Sequence, residues 1–303
     1  MNQEFLKKLT DAAGEGNVLI DEPMYKHITF RVGGKASYFV EPENVEGVCK
    51  VIKLLKKDNK PFFVMCNGSN LLVTDEGYDG VIVKLGSKLS NIVVSGNKLT
   101  VEAGALLTRV SRLACDRGLT GMERLSGIPG TIGGAVVMNA GAYGAEIKDV
   151  IVSAKVLDVE TGDILILSRE ELNLSYRHSI IMEKKYIVLE AQFLLAEGDK
   201  DEIINIVNEC TAQRKSKQPL EYGSAGSTFK RPEGHFAGKL IQDAGLAGYT
   251  VGGAQVSEKH CGFVINRDNA TATDVLSVIN HVQERVLEQF GVKLELEVYI
   301  LKV

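Results

Sequence analysis

The sequence predicts an α+β protein divided into two or three compact units, and three stretches carry that prediction. Residues 43–73 place Val45, Val48, Ile52 and Leu55 at helical spacing, followed by the apolar run PFFVMC, the polar turn Asn67-Gly68-Ser69-Asn70 and the strand-like LLVTD. Residues 147–196 are rich in strand signals: DVIVSAKVLDV, ILILS and YIVLEAQFLL. Thr271 to Phe290 then puts Val275, Ile279, Val282, Val286 and Phe290 on one helical face, and Gly291 ends it. With 303 residues, the chain has the size at which single cores stop growing and chains divide.

The remaining elements follow in order. Residues 25–41 read as strand, Gly-Gly turn, strand. Residues 79–103 alternate as short strands (GVIVKL, NIVVSG, KLTVEAG). A helix over 105–117 turns Leu106, Val110, Leu113 and Ala114 inward and stops at Gly118. The polar run EGDKDE at 197–202 marks a boundary. Beyond it come a helix over 201–214, a Gly, Ser and Lys-rich loop over 215–228, and a short helix over 236–246. The final segment, VKLELEVYILKV, alternates as a strand with Val292, Leu294, Leu296, Val298 and Ile300 on one face.

Composition narrows the function classes. The net charge is -4 and no basic block stands out, which argues against nucleic acid and anionic membranes as partners. The opening MNQEFLKKLT lacks the apolar core of a signal peptide, and no apolar run approaches the length of a bilayer span. Five widely spaced cysteines without a CxxC pair fit buried thiols in a reducing cytoplasm. The five histidines are scattered without ligand spacing, so no metal is expected.

Glycine is the compositional excess, with 31 residues, and it clusters. Eight glycines fall between 118 and 144, around Gly127-Ile-Pro129-Gly130-Thr131-Ile-Gly133-Gly134 and on through Asn139 to Gly144. Glycines let a backbone approach a ligand closely, and loop N–H groups form anion-binding concavities that suit a diphosphate. Tight turns in a packed domain would explain them equally well. Neither the P-loop nor the G-x-G-x-x-G dinucleotide fingerprint occurs.

GIPGTIGGAVVMNAGAYG resembles the flavin loop of the UDP-N-acetylenolpyruvoylglucosamine reductase family, and Asn67-Gly68-Ser69-Asn70-Leu71-Leu72 resembles its other FAD loop. Further matching segments are Ser175-Tyr176-Arg177, Ala225 to Pro232, Ala237 to Ile241, Ser257 to His260, and Phe263 to Asn266. The resemblance runs in order from about Thr29 to Val298. No long insertion follows the Tyr-Arg motif, as in the shorter of the family's two subclasses.

The resemblance implies a two-part FAD-binding domain of the vanillyl-alcohol-oxidase/p-cresol-methylhydroxylase type plus a C-terminal α+β substrate domain. Their expected spans are 1–85 and 86–198 for the flavin subdomains and 199–303 for the substrate domain. It implies non-covalent FAD held by Asn67, Gly68, Ser69, Asn70, Leu71, Gly127, Pro129, Gly130, Thr131, Gly133, Gly134 and Asn139. NADPH would be the co-substrate, the substrate a UDP-sugar enolpyruvyl ether, and the enzyme a cytoplasmic monomer. Reducing an α,β-unsaturated carboxylate needs a cation at the carboxylate and a proton donor at the α-carbon. By the resemblance Arg177 is the cation, Ser227 the proton donor and Glu297 an assistant to enol formation. Glu295 sits two residues away as the alternative register. Tyr176, Lys217 and Arg231 match substrate contacts, and His260 reads as structural. Another flavin oxidase on the same scaffold, or an inactive binding module, would share the flavin loops but not the Ser227 and Glu297 segments.

Overall fold

The computed structural model describes residues 3–302; Val303, the last residue of the expected terminal strand, lies outside them. Unit 1 comprises Met1–Ile20, Tyr38–Asn67 and Gly80–Gln213; unit 2 comprises Asp21–Ser37, Gly68–Asp79 and Arg214–Val303. Each unit therefore draws on three separate stretches of sequence.

Unit 1 is organised on a five-stranded antiparallel sheet in the order Ile164–Ser168, Ile151–Asp158, Tyr186–Leu194, Lys98–Glu102, Ile92–Ser95. Its register sets Val156 opposite Val188, Ala191 between Ala154 and Val101, and Phe193 opposite Leu99. All seven side chains are buried, so a one-residue slip would carry this whole set into water. Phe62–Met65 pairs in parallel with residues 81–84, Val64 opposite Val83. The helix Val45–Lys57 starts at Asn44, whose side chain accepts the Gly47 amide at 2.9 Å, and it buries Val48, Val51, Ile52 and Leu55.

Unit 2 pairs Leu71–Val73 in parallel with Tyr299–Leu301, Leu72 opposite Ile300. A three-stranded antiparallel sheet follows, Thr250–Val251, Ala254–Val256 and Val264–Asn266. The helix Ala272–Phe290 buries Val275, Val278, Ile279, Val282 and Val286, as its periodicity predicts. Thr271 and Asp274 form a reciprocal capping box at its start, and Gly291 closes it in the left-handed conformation, φ +68°. Among the described residues no helix is long and apolar enough to cross a membrane.

The structure departs from the sequence expectations in four places. The first strand is Val18–Pro23, and of residues 25–41 only Lys35–Val40 is strand. Arg31 (φ +57°) and Gly33 (φ +107°) are left-handed and interrupt the extended run. A Cβ on Gly34 would stand 2.2 Å from the Asp75 carbonyl oxygen, so this close backbone approach needs glycine. The helix Leu107–Asp116 buries Leu107 while Leu106 is 44% exposed, because Leu106 is the extended cap and out of helical phase. The helix expected over 201–214 runs Lys200–Lys217, so Lys217 is helical and not in the loop; Arg214, Lys215 and Lys217 suit a helix C-terminus.

The fourth departure is the chain end. Only Tyr299–Leu301 is strand; Leu296 makes an isolated bridge with Phe229. Leu294, Val298 and Leu301 are buried while Ile300 is half-buried, so the three-residue step from Val298 to Leu301 breaks the alternation. Phe290, expected on the apolar helical face, is also partly exposed in the last turn.

Asp75 adds a second cap to the C-terminal helix. Its carboxylate accepts the Ala272 and Thr273 amides, both at 2.8 Å, and the Thr273 hydroxyl at 2.7 Å. Burial alone would raise its pKa, but these three donors hold the carboxyl below its ordinary value of 3.8. Asp75→Ala is expected to destabilise unit 2 by about 1 kcal/mol in denaturant unfolding. The carboxyl is depressed in the folded state, so its contribution is present at neutral pH. It should vanish as pH falls below about 4 and through the folded value, which a pH series comparing parent and variant will read.

Candidate active site

In unit 1, the loop after the buried strand Phe62–Met65 and the GIPGTIGG loop are tied directly. The Asn67 side chain donates from Nδ2 to the Pro129 carbonyl at 2.7 Å. The glycine loop leads into the short helix Ile132–Val137. Its Ile132 and Gly133 amides are spent on the Ala105 and Ala103 carbonyls, at 2.9 and 2.8 Å. Gly133 is needed for packing: a Cβ there would stand 2.9 Å from Ala103 Cβ and 3.1 Å from Cys66 Sγ. Gly134 is different, since the nearest atom to its Cβ position is Cys66 Cβ at 3.9 Å.

Thr131 Oγ1 is buried without a hydrogen-bond partner among the described residues, although the Cys66 thiol stands beside it as a weak one. Burial pushes that thiol up in pKa, so it is a neutral neighbour. An unsatisfied hydroxyl inside a glycine-lined loop fits a bound polar group, and the diphosphate of FAD meets that description. Asn67, Pro129, Gly130, Thr131 and Gly134 would hold it.

The Tyr-Arg motif forms a tight turn in the same unit. Ser175 and His178 exchange both backbone hydrogen bonds at 3.1 Å. Arg177 is left-handed with φ +54°, a conformation that costs a non-glycine residue roughly 1–3 kcal/mol and concentrates at functional sites. Its half-buried side chain lies over the Tyr176 ring at 5.1 Å and donates from Nη2 to the Gly141 carbonyl at 3.4 Å. Asn139 (φ +41°) and Tyr143 (φ +53°) are left-handed too. The Asn139 side chain, expected at the cofactor, spends its polar atoms on Ser175, Glu146 and Lys148.

Unit 2 brings Gly68, Asn70, Ser227 and Glu297 together. Thr29 accounts for much of this. Its amide donates to the Gly68 carbonyl at 3.2 Å, its hydroxyl donates to Ser224 O at 2.6 Å, and its carbonyl accepts the Ser224 amide at 3.1 Å. A Cβ on Gly68 (φ +61°) would stand 2.6 Å from the His27 carbonyl oxygen. Asn70 donates from Nδ2 to the Glu297 carbonyl at 2.9 Å and accepts the Tyr299 amide at 3.0 Å. Ser69 is half-buried between these anchors, and Leu71 is a buried strand residue.

Ser227 is half-buried between a left-handed Gly226 (φ +77°) and a buried Thr228. Thr228 accepts the Val264 amide on Oγ1 at 3.0 Å and donates its own amide to Gly262 O at 2.9 Å. Its carbonyl accepts the Glu297 amide at 2.9 Å. Glu297 is thus registered against the residue next to Ser227 and is half-buried, whereas Glu295 is exposed beside Lys230 at 3.4 Å. The Arg231 guanidinium covers the Phe236 ring at 4.6 Å, and Lys217 is exposed at its helix end. His260 packs edge-on to Phe263 at 4.9 Å, and burial lowers its pKa, as for a packing residue. Unit 2 also has an open cavity of about 730 Å³ bordered by Tyr25, Arg31, Asp75, Tyr222, Asn266 and Arg267; none of the expected site residues lines it.

Sequence reasoning missed Thr29 and Glu146. Thr29 acts across 195 positions of chain, which no local spacing displays. Glu146 carries a readable signal, since the Glu146 and Asp149 pair forms a capping box directly after the glycine loop. One consequence of the Asn67 bond is measurable. Asn67→Ala is expected to release the Pro129 loop and lower the flavin-to-protein absorbance ratio after dialysis about 5-fold relative to the parent, at a loss of about 1 kcal/mol. Unchanged flavin retention would remove Asn67 from the cofactor site.

Comparison with known proteins bears on this arrangement. Residues 36–168 match the model of an FAD binding domain, and residues 218–301 match that of the UDP-N-acetylenolpyruvoylglucosamine reductase C-terminal domain. A UDP-N-acetylenolpyruvoylglucosamine reductase of Agathobacter rectalis is 53% identical, with 99% of each chain covered. One from Clostridium perfringens is also 53% identical over 99% of both chains. The crystal structure of UDP-N-acetylenolpyruvylglucosamine reductase from Thermus caldophilus aligns with a TM-score of 0.80 at 35% identity, covering 93% of this chain and 97% of that one. A variant of Phl p 4 described as a glucose oxidase shares only the fold, at a TM-score of 0.51 and 16% identity, over 65% of this chain and 45% of its own. The chain therefore belongs to the UDP-N-acetylenolpyruvoylglucosamine reductase family and is an FAD-containing oxidoreductase of the expected α+β, two-part flavin-domain class.

Proposed function

We propose that this enzyme reduces the enolpyruvyl ether of UDP-N-acetylglucosamine to the lactyl ether, UDP-N-acetylmuramate, with NADPH as reductant in peptidoglycan precursor synthesis. Bound FAD would supply the hydride-transfer chemistry between NADPH and the vinyl CH2 of the substrate. The protein's task is the charge and the second hydrogen. Hydride addition at the β-carbon leaves electron density on the α-carbon and the carboxylate oxygens, so the product needs one proton at the α-carbon.

The observation that carries the chemistry is the left-handed turn at Arg177, where backbone strain is held at the one arginine of the Tyr-Arg motif. A planar guanidinium pairs with a carboxylate through two parallel N–H donors, and it stabilises charge that grows as the reaction proceeds. Ser227 gives its hydroxyl proton to the α-carbon and regains one from solvent. Glu297, registered on Thr228, supports the charge shift through its carboxyl. Tyr176, Lys217 and Arg231 serve the nucleotide-sugar part of the substrate.

The test follows the two half-reactions. NADPH is expected to bleach the bound flavin under anaerobic conditions, and UDP-N-acetylenolpyruvoylglucosamine is expected to restore its yellow absorbance. Flavin that NADPH reduces and this substrate does not reoxidise would overturn the assignment. Ser227→Ala should leave reduction by NADPH intact and slow reoxidation by about 10²–10⁴-fold, the usual worth of a positioned proton donor. Equal loss of both half-reactions would remove Ser227 from the proton-donor role.

A further inference from the structure

We propose that Asn139 is a positioning residue for Arg177: it holds the arginine turn against the end of the flavin-loop helix, so that the loop that binds the cofactor also sets where the guanidinium stands. The proposal rests on the reading of Arg177 as the carboxylate anchor. It replaces the expectation that Asn139 touches FAD.

Asn139 is fully buried and left-handed. Its Nδ2 donates to the Ser175 carbonyl at 2.9 Å and to Glu146 Oε2 at 3.0 Å, and its Oδ1 accepts the Lys148 amide at 2.9 Å. Both N–H groups and the carbonyl are therefore committed to the protein. Two residues earlier, the Val137 carbonyl accepts the hydroxyl of the buried Ser179 at 2.6 Å. The turn is thus pinned on both sides of Tyr176 and Arg177, at Ser175 and at Ser179, and both pins reach the C-terminal end of the helix Ile132–Val137.

Glu146 completes the clamp. It accepts from Asn139, pairs with Lys148 Nζ at 2.5 Å, and its amide donates to Asp149 Oδ2 at 2.7 Å. Burial alone would raise its carboxyl; Lys148, the Asn139 amide and the Arg177 charge together hold it below the ordinary value. A permanent carboxylate therefore faces the clamp. A left-handed arginine relaxes when its supports are removed, because the strain is retained only while neighbours over-determine the conformation. A displacement of about 1 Å of a charge-handling group costs about 100-fold in rate.

The experiment compares the half-reactions of the full-length flavoenzyme in Asn139→Ala, Asn139→Asp, Arg177→Ala and the double variant Asn139→Ala/Arg177→Ala. Flavin content and its reduction by NADPH should stay within about 2-fold of the parent in Asn139→Ala, while reoxidation by the enol ether slows about 10-fold or more. The double variant should be no slower than Arg177→Ala alone, because Asn139 acts through the arginine. Asn139→Asp keeps the volume and so guards against a failure to fold. Its carboxyl, raised by Glu146 beside it, should slow reoxidation at about pH 8 and recover part of the loss, relative to the parent, near about pH 5.5, where a protonated oxygen can donate to Ser175 again. Loss of flavin from Asn139→Ala and Asn139→Asp, losses that add in full in the double variant, or an aspartate deficit without pH dependence would overturn the proposal alone. Arg177→Ala with unchanged reoxidation would overturn the reading of Arg177 and this proposal with it.

Discussion

The loops of the candidate site are backbone without a regular ladder, and buried peptide groups must still find partners. That constraint governs the arrangement. The loops are long stretches of glycine and small residues that cannot bury enough apolar surface to hold themselves. Single polar side chains do so instead. In unit 1, Asn139 and Ser179 secure the Tyr-Arg turn. In unit 2, the Thr29 hydroxyl secures Ser224, and the Thr228 hydroxyl secures Val264 against the segment after Ser227. Every one of these bonds ends on a main-chain atom, so it fixes a backbone path and leaves neighbouring side chains for chemistry.

Rigid surroundings make this possible. The five-stranded sheet buries Phe193, Leu99, Val156 and Ala191 with little freedom of register, and the glycine loop is tied beside it by hydrogen bonds to Ala103 and Ala105. The loop amides at Ile132 and Gly133 are spent on those carbonyls. Glycine at 133 consequently serves packing, while Thr131 keeps a hydroxyl unsatisfied by the chain. The glycine-rich loop thus commits part of its backbone to holding the fold. Three of the left-handed non-glycine residues, Asn139, Tyr143 and Arg177, lie in or beside the same clamp.

The segments of the candidate site were legible because each is local in sequence. The turn Asn67 to Asn70, the GIPGTIGG loop and the Ser175-Tyr176-Arg177 motif are each continuous, and their order along the chain carried the family resemblance. What periodicity could not supply was the bonding between them. Glu297 and Glu295 are equivalent in the alternation of the last segment; the Thr228 carbonyl and the Lys230 ammonium distinguish them. Leu106 and Leu107 are equally apolar neighbours, and the extended cap at Leu106 decides which is buried. The terminal strand shrank to Tyr299–Leu301 because strands need a partner along their whole length, and Leu71–Val73 is three residues long.

Local patterning was enough for the class of fold, the amphipathic helix Ala272–Phe290 with its Gly291 stop, the buried strands and the residue types at each loop. These depend on periods of 2 and 3.6 residues and on glycine's freedom, all of which act within a few positions of chain. Packing in three dimensions is what turns Asn139 to the Arg177 turn, lets Thr29 clasp Ser224, and sets Asp75 on a helix nearly two hundred residues away. The reason is physical. A hydrogen bond of a buried side chain is fixed by which backbone group is left unpaired at its tip, and that depends on every element packed around it.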